Sequence, residues 1–294
     1  MSEHSHGDFL DLVYDSAVEP ALWVPVMERL ADMTGGAGGW LSQLSTEDGS
    51  GCQENDPLAR VDPTWPSRYN EHFARCNPLH PVGNPREYMR HWTPSILTDE
   101  DLVEKDELTR SEFYNDFWRP QDIHAALFVR LAARGVDAVT LNISRPQRRG
   151  PFNRREIEVA QQYHPHLIRA YDLGQRFSAA RSLAGDLAEI LDRSPHGLFV
   201  LASDGRVLHV NLAGEALAAE EGGLRLSGAQ LSAANAADAR RLQGLIAAAG
   251  SPDGERRAGG SMALATPVRA VPLSVTVAPI QAERLAPLDA GRSI

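Results

Sequence analysis

Apolar positions recur at helical spacing in two segments near the start of the chain, Asp8 to Ala17 (Phe9, Leu12, Val13) and Ala21 to Met33 (Leu22, Val26, Met27, Leu30). Gly35-Gly36 closes the second. Trp40 to Leu44 reads as a strand, and a loop rich in Gly, Asp and Asn holds Cys52. A helix is predicted from Pro63, in its first turn, through Tyr69 and Phe73 to Cys76, where Asn77-Pro78 stops it. Asp106 to Phe117 reads as one further helix ended by Arg119-Pro120. His124 to Leu131 and Asp137 to Ser144 alternate as a strand pair joined through Arg134-Gly135. Helices flanking an antiparallel sheet make this first part an α+β domain.

From Asn153, a plausible cap with Glu156 three residues on, one helical stretch runs to about Arg193. Pro165 and Gly174 are its weak points. Ala170, Leu173, Phe177, Ala180, Ala184, Leu187 and Leu191 follow one another at alternating steps of three and four residues. That is a heptad seam over about three heptads. It fits either packing within the chain's own fold or a parallel dimer helix between two domains.

After Ser194-Pro195 two apolar strands, Gly197 to Ala202 and Arg206 to Val210, meet at Asp204-Gly205, a strong hairpin signal. Asn211 caps a short helix to Ala219. A polar, Gly-rich stretch leads to a helix over Ala234 to Ala249, and a second hairpin spans Ser261 to Ala265 and Leu273 to Ile280. These pieces make up most of a five-stranded sheet, with one strand missing before the chain ends at Ile294. The expected organisation is therefore two α+β domains, each an antiparallel sheet flanked by helices, over residues 1–153 and 194–294, joined by the helix over 154–193.

Composition sharpens this division. Of the 294 residues 43% are hydrophobic and 23% charged, as in a folded chain. The net charge of −10 sits almost wholly before residue 181, where 18 basic residues face 27 acidic ones. Eighteen of the 19 aromatic residues also lie there, and Phe199 alone lies beyond. The first core must use large flat side chains and the second Leu, Val and Ala. Arg outnumbers Lys 28 to 1, with Lys105 alone, which reads as genome base composition. No apolar run approaches the roughly 18 to 20 residues of a membrane span, and the N-terminus has no leader-like pattern, so a cytoplasmic location without membrane contact is expected. The acidic balance argues against a broad basic face for sequence-independent nucleic-acid binding, while leaving room for a short positive element.

Chemical signatures are sparse. Two cysteines, Cys52 and Cys76, give no disulfide framework and no four-ligand zinc set. His164 and His166, two residues apart on a helix, point to different faces and share no metal; hydrogen bonds to carbonyls freed by Pro165 suit them better. Asp99, Glu100, Asp101, Glu104, Asp106, Glu107, Glu112 and Asp116 lack a calcium-loop frame and read as a solvated face. Cys76 beside Arg75 is either a low-pKa redox thiol or, with no resolving partner, buried filler. Gly36 to Gly39 read as turn material. Nucleophile elbows, phosphate loops, zinc-protease and kinase motifs are missing, which argues against an enzyme. No cofactor is expected: residues 194–294 hold no cysteine for a flavin adduct and one aromatic ring, and His196 and His209 sit beside a strand end or turn, where haem ligation is not favoured.

The segment Leu198 to Asn211 with its following helix resembles the opening of a PAS domain. Tyr14-Asp15 through Pro20-Ala21-Leu22-Trp23, the helix from Tyr69 to Asn77-Pro78, Ser111 to Pro120, Arg145 to Phe152 and His164 to Ala170 resemble the N-terminal sensory region of bacterial LuxR-type helix-turn-helix transcriptional regulators. The resemblance covers nearly the whole chain. It implies a GAF-like sensory domain, a connecting helix that dimerises, and a PAS-like domain. In that group a helix-turn-helix follows, and nothing after Ile280 can be one, so DNA would be contacted only by a part outside these residues. The expected ligand site is the aromatic-rich first domain. Trp40, Tyr69, Phe73, Trp92, Phe113, Tyr114, Phe117 and Trp118 would enclose an unknown small-molecule effector, with Arg75, Asn77, Asn115 and His124 as its polar groups. The alternative is a ligand-free interaction scaffold that regulates by dimerisation.

Overall fold

The computed structural model describes residues 3–45, 56–80, 95–134, 137–202, 204–220, 223–251, 258–266 and 270–280. The chain forms two compact units, Met1–Arg181 and Ser182–Ile294, and mixes helices with antiparallel sheet throughout. Among the described residues no helix is long and apolar enough to cross a membrane.

In the first unit, helices α1 (Glu3–Asp15) and α2 (Trp23–Thr34) precede strand β1 (Gly38–Ser45) and the short β2 (Leu58–Ala59). Helix α3 (Trp65–Glu71), strand β3 (Ile96–Thr98), and the short helices α4 (Asp99–Leu102) and α5 (Lys105–Arg110) follow. A π-type turn (Phe113–Trp118), β4 (Ala125–Arg134), β5 (Asp137–Arg145) and the long helix α6 (Arg154–Asp192) complete the series. The strands form one antiparallel sheet in the order β2-β1-β5-β4-β3.

Strand alternation separates two cores. Leu41, Leu127, Val129, Leu141 and Ile143 pack against Phe9, Val13, Val26, Met27 and Leu30 of α1 and α2, and against Tyr163 and Leu167 of α6. The opposite face presents Leu44, Leu97, Ala126, Phe128 and Ala138 to Tyr69, Phe73, Leu108, Phe113, Phe117 and Trp118. The unit is thus three layers, with an all-helical layer on one side and an aromatic layer of short helices and turns on the other. Each large side chain buried in these layers contributes about 1.5–3 kcal/mol.

Gly35, in the left-handed region at φ 70°, ends α2 as the pattern predicts. Gly38 and Gly39, expected as turn material, lie inside β1. A Cβ on Gly38 would meet the Ala59 carbonyl at 2.7 Å, and one on Gly39 the Asn142 carbonyl at 2.9 Å, so neighbouring strands approach closely there.

The expected helix over Pro63 to Cys76 breaks at His72 (φ −139°, ψ −54°) into α3 and a tight turn over Phe73–Arg75. The expected helix over Asp106 to Phe117 also splits. Ser111 is extended (φ −69°, ψ 151°), and its hydroxyl oxygen accepts from the Tyr114 amide at 3.1 Å, which starts a new turn with π-type spacing.

Arg145, 2% exposed, joins the end of β5 to the helical layer. It donates to the carbonyls of Thr34 and Pro151 and pairs with Glu156 at 3.0 Å. Its guanidinium also lies 3.7 Å from the centre of the Phe152 ring. Asn153 and Glu156 form the reciprocal cap expected at the start of α6.

The second unit holds β6 (Phe199–Leu201), β7 (Val207–Val210), α7 (Leu212–Ala219), β8 (Leu224–Ser227), β9 (Gln230–Ala233), α8 (Ala236–Ala249), β10 (Gly260–Leu264) and β11 (Leu273–Val277). The polar, Gly-rich stretch before α8 is the β8–β9 hairpin, turned at Gly228 with φ 59°. Its Leu224 and Leu231 are buried with Leu242, Ile246, Met262 and Leu264. The strands pair as three hairpins.

Asn211 caps α7 as expected, and it does more. Its Oδ1 accepts from Leu198 N and Gly214 N, and its Nδ2 donates to the carbonyls of Leu191 and His196. All four hydrogen-bonding positions of the amide are used, and the β6–β7 hairpin is tied to the last turn of α6.

Candidate functional site

Between the sheet and the aromatic layer of the first unit lies a cavity of about 80 Å³. That is room for on the order of five water-sized groups. Six residues of the expected pocket line it: Trp40, Tyr69, Asn77, Phe113, Phe117 and Trp118. They come from β1, α3, the segment just beyond the turn that follows α3, and the π-type turn, which meet only through the fold.

The rings meet mostly edge-on or tilted. Trp40 and Tyr69 are 6.1 Å apart between centroids, Tyr69 and Phe117 5.5 Å, and Phe113 and Trp118 5.6 Å. Phe73 supports the wall from behind, 4.9 Å from Phe117. Asn77 holds the Tyr69 hydroxyl through its Nδ2 at 3.1 Å, while its Oδ1 accepts from Leu79 N.

The other candidates are engaged elsewhere. Arg75 is exposed and outside the cavity lining. Asn115 donates to the carbonyls of Thr109 and Ser111, closing the break between α5 and the π-type turn. Tyr114 shares a 2.7 Å hydrogen bond with His124 Nδ1. Burial raises the Tyr114 phenol, while burial and the Lys105 charge lower His124, so the pair is a phenol against a neutral imidazole. Trp92 lies outside the described residues.

The floor of the cavity was not legible as a site. Ser42, Asn142 and Ser144 line it, and Thr140 stands beside them on the same face of the sheet, paired across from Ser42. The alternation Thr140, Asn142, Ser144 against Val139, Leu141, Ile143 is the pattern of a strand with one wet face. Here the polar face is covered: Ser42 is 2% and Thr140 1% exposed. Asn142 Nδ2 donates to Ser42 Oγ and to the Trp40 carbonyl. Two buried polar groups of these strands have no partner among the described residues, the indole N–H of the lining residue Trp40 and the hydroxyl of Thr140.

His80, a further lining residue, is held neutral by burial, with its pKa pushed down to about 4. A hydrophobic box with polar groups on one wall can hold a small, mostly apolar molecule and orient it by a hydrogen-bond acceptor.

The acidic run is solvated with one exception. Asp99 is buried, accepts from Ala126 N and from Lys105 Nζ at 2.8 Å each, and Lys105 also donates to the His124 carbonyl. This latch docks α4 and α5 on β4, and it gives the single lysine a structural role that composition concealed.

His164 and His166 do diverge, but neither bonds a carbonyl freed by Pro165. His164 meets the Arg130 carbonyl beside the irregularity in β4, and His166 meets the Tyr14 hydroxyl. Partial burial and the charges of Glu112 and Asp116 raise the Cys76 thiol, contrary to activation by Arg75. His72, Cys76 and Glu112 bring one nitrogen, one sulfur and one carboxylate oxygen within 4.8 Å of one another.

On α6, Ala170 is fully buried with Tyr163 and Leu167, so it belongs to the core of the first unit and not to an outward seam. The later positions turn outward. Leu173, Phe177, Ala180, Ala184 and Leu187 are exposed, Phe177 by 45% and Leu187 by 51%, and Leu191 is half-buried. Leu183 and Ile190 widen this apolar stripe.

A second concavity, about 820 Å³, lies within the second unit and is lined by Phe199, Leu217, Leu231, Leu242 and Val275 among others. It is larger, yet among the described residues of that unit neither unpartnered buried side-chain group, His209 Nε2 or Thr266 Oγ1, lines it. Chemistry rather than size therefore selects the first cavity.

No family model matches the chain, and no curated protein matches it. Among solved structures it is similar to the VqsR LBD domain from Pseudomonas aeruginosa, at 16% sequence identity and a TM-score of 0.44, over 59% of this chain and 96% of that one.

Proposed function

We propose that the first unit is the sensory domain of a cytoplasmic LuxR-type transcriptional regulator, and that its cavity takes a small, largely apolar effector carrying a hydrogen-bond acceptor. The observation that carries this reading is the covered polar floor. A buried donor without a partner costs about 1–3 kcal/mol, and the Trp40 indole N–H, which can only donate, is such a group. A carbonyl or ether oxygen entering the cavity removes that cost.

The outward stripe Leu173, Phe177, Ala180, Ala184 and Leu187 suits parallel pairing of α6 with that of a second copy, through which occupancy of the cavity biases two helix arrangements. The alternation of three hairpins with two helices in the second unit supports a PAS-like partner domain. The same stripe also supports the other reading, a scaffold that acts by dimerisation without a ligand.

Thermal-shift screening of extracted metabolites separates the two. On the sensory reading a compound raises the melting temperature of the wild type, and Trp40→Phe, which keeps a ring and deletes the indole N–H, weakens that compound about two- to tenfold. If no compound stabilises the wild type, the scaffold reading stands.

A further inference from the structure

We propose that His72, Cys76 and Glu112 form a Zn²⁺ site that fastens the end of α3 to the start of the π-type turn. The three candidate ligand atoms already lie within 4.8 Å of one another, with His72 Nε2 and Glu112 Oε1 in hydrogen-bond contact. Zn–N distances of about 2.0–2.1 Å and Zn–S of about 2.3 Å place tetrahedral ligands roughly 3.3–3.7 Å apart. The present spacings therefore differ from a bound geometry by about 1 Å. The His72 and Glu112 side chains, 60% and 53% exposed, can make that adjustment by rotation.

The donor set selects the metal. One imidazole, one thiolate and one carboxylate suit Zn²⁺, whereas Ca²⁺ and Mg²⁺ take oxygen ligands almost exclusively. Glu112 and Asp116 together direct negative charge at the Cys76 sulfur, a field that a dication answers. Three protein ligands leave the fourth position for water.

The local backbone explains how the ligands converge. The break at His72 and the turn after it bring Cys76 round beside the imidazole. Extended Ser111 then lets the chain re-enter a turn with Glu112 facing both. His72 and Cys76 are four residues apart, but Glu112 is forty residues further along than His72, so no sequence motif announces the set.

A metal here has a consequence for the cavity. The His72 ring lies edge-on to Phe73, 5.0 Å away, and Glu112 precedes Phe113 directly. Zn²⁺ would pin the two segments that carry Tyr69, Phe113 and Phe117 against each other. The site itself stands independently of what the cavity binds.

The test uses the full chain, stripped with chelator and titrated with Zn²⁺ by calorimetry and with Co²⁺ by absorption. One Zn²⁺ per chain is expected, with affinity at least about tenfold weaker in Cys76→Ser, His72→Gln and Glu112→Gln. Co²⁺ should produce thiolate-to-metal charge-transfer absorption that survives Cys52→Ser and disappears in Cys76→Ser. The Co²⁺ signal of the wild type needs no variant to fold. The proposal is overturned if natively folded wild type gives no charge-transfer band, if Cys52→Ser abolishes the band, or if Zn²⁺ affinity is unchanged in Cys76→Ser or His72→Gln.

Discussion

Two buried threonines should respond in opposite directions to the same substitution. Thr140, 1% exposed in β5, has a hydroxyl without a partner among the described residues. Valine keeps its branching and volume and suits a strand equally well. Removing an unmet hydroxyl that costs about 1–3 kcal/mol should therefore make Thr140→Val more stable, by about 1–2 kcal/mol. Thr34, equally buried, donates to the Leu30 carbonyl at 2.8 Å. Thr34→Val loses a made hydrogen bond and should be less stable by about 0.5–1.5 kcal/mol.

All five tryptophans, Trp23, Trp40, Trp65, Trp92 and Trp118, belong to the first unit, so tryptophan fluorescence in urea follows its unfolding alone. With a slope near 2 kcal/mol per M, the Thr140→Val midpoint should rise by about 0.5–1 M. Most core substitutions destabilise, so a rise is discriminating. A midpoint lowered by more than about 0.3 M would show that the hydroxyl is already bonded, and the reading of Thr140 as an unmet buried group would fail.

Three other outcomes follow from the same structure. Arg145→Met strips Glu156 and the Thr34 and Pro151 carbonyls of their donor, and the first unit should lose about 3–5 kcal/mol in urea unfolding; a loss below about 1 kcal/mol would contradict the role given to Arg145. His80, at about 4 in the folded chain against about 6.5 unfolded, makes the unfolded state bind more protons between those values. Its contribution is therefore complete above about pH 6.5 and lost toward pH 4, about 3 kcal/mol in all. Urea midpoints at several pH values should show His80→Leu less sensitive than wild type across that window, and equal sensitivity would refute the assignment. Light scattering should report a dimer for the wild type and a monomer for Phe177→Arg combined with Leu187→Glu; a monomeric wild type removes the helix-pairing proposal.

Local patterning made the two strands of the central hairpin, the long helix and the Asn211 cap readable, because each depends on neighbours within a few residues. The aromatic wall of the candidate cavity was also readable: Trp40, Tyr69, Phe113, Phe117 and Trp118 stand out by type, and all five line it. Its polar half was not. Thr140, Asn142 and Ser144 look like a wet strand face until α3 and the π-type turn, from distant parts of the chain, cover them.

Arg75, Asn115 and His124 were plausible by chemistry, but one is solvated and the others are engaged in holding local backbone and a phenol. The helix breaks at His72 and Ser111 also escaped prediction. Neither residue is a strong breaker by type, and tertiary packing of the aromatic layer overrode a weak propensity.

The latch between Asp99 and Lys105 gives the chain an unusual experimental handle. Lys105 carries the only side-chain amine among these 294 residues, and it is engaged at the seam where the short helices dock on β4. An amine-directed reagent applied to the intact protein therefore meets one internal target, and the pace of its attack measures how often that seam opens. A native chain thus contains its own single-position reporter, readable by mass spectrometry without any introduced label.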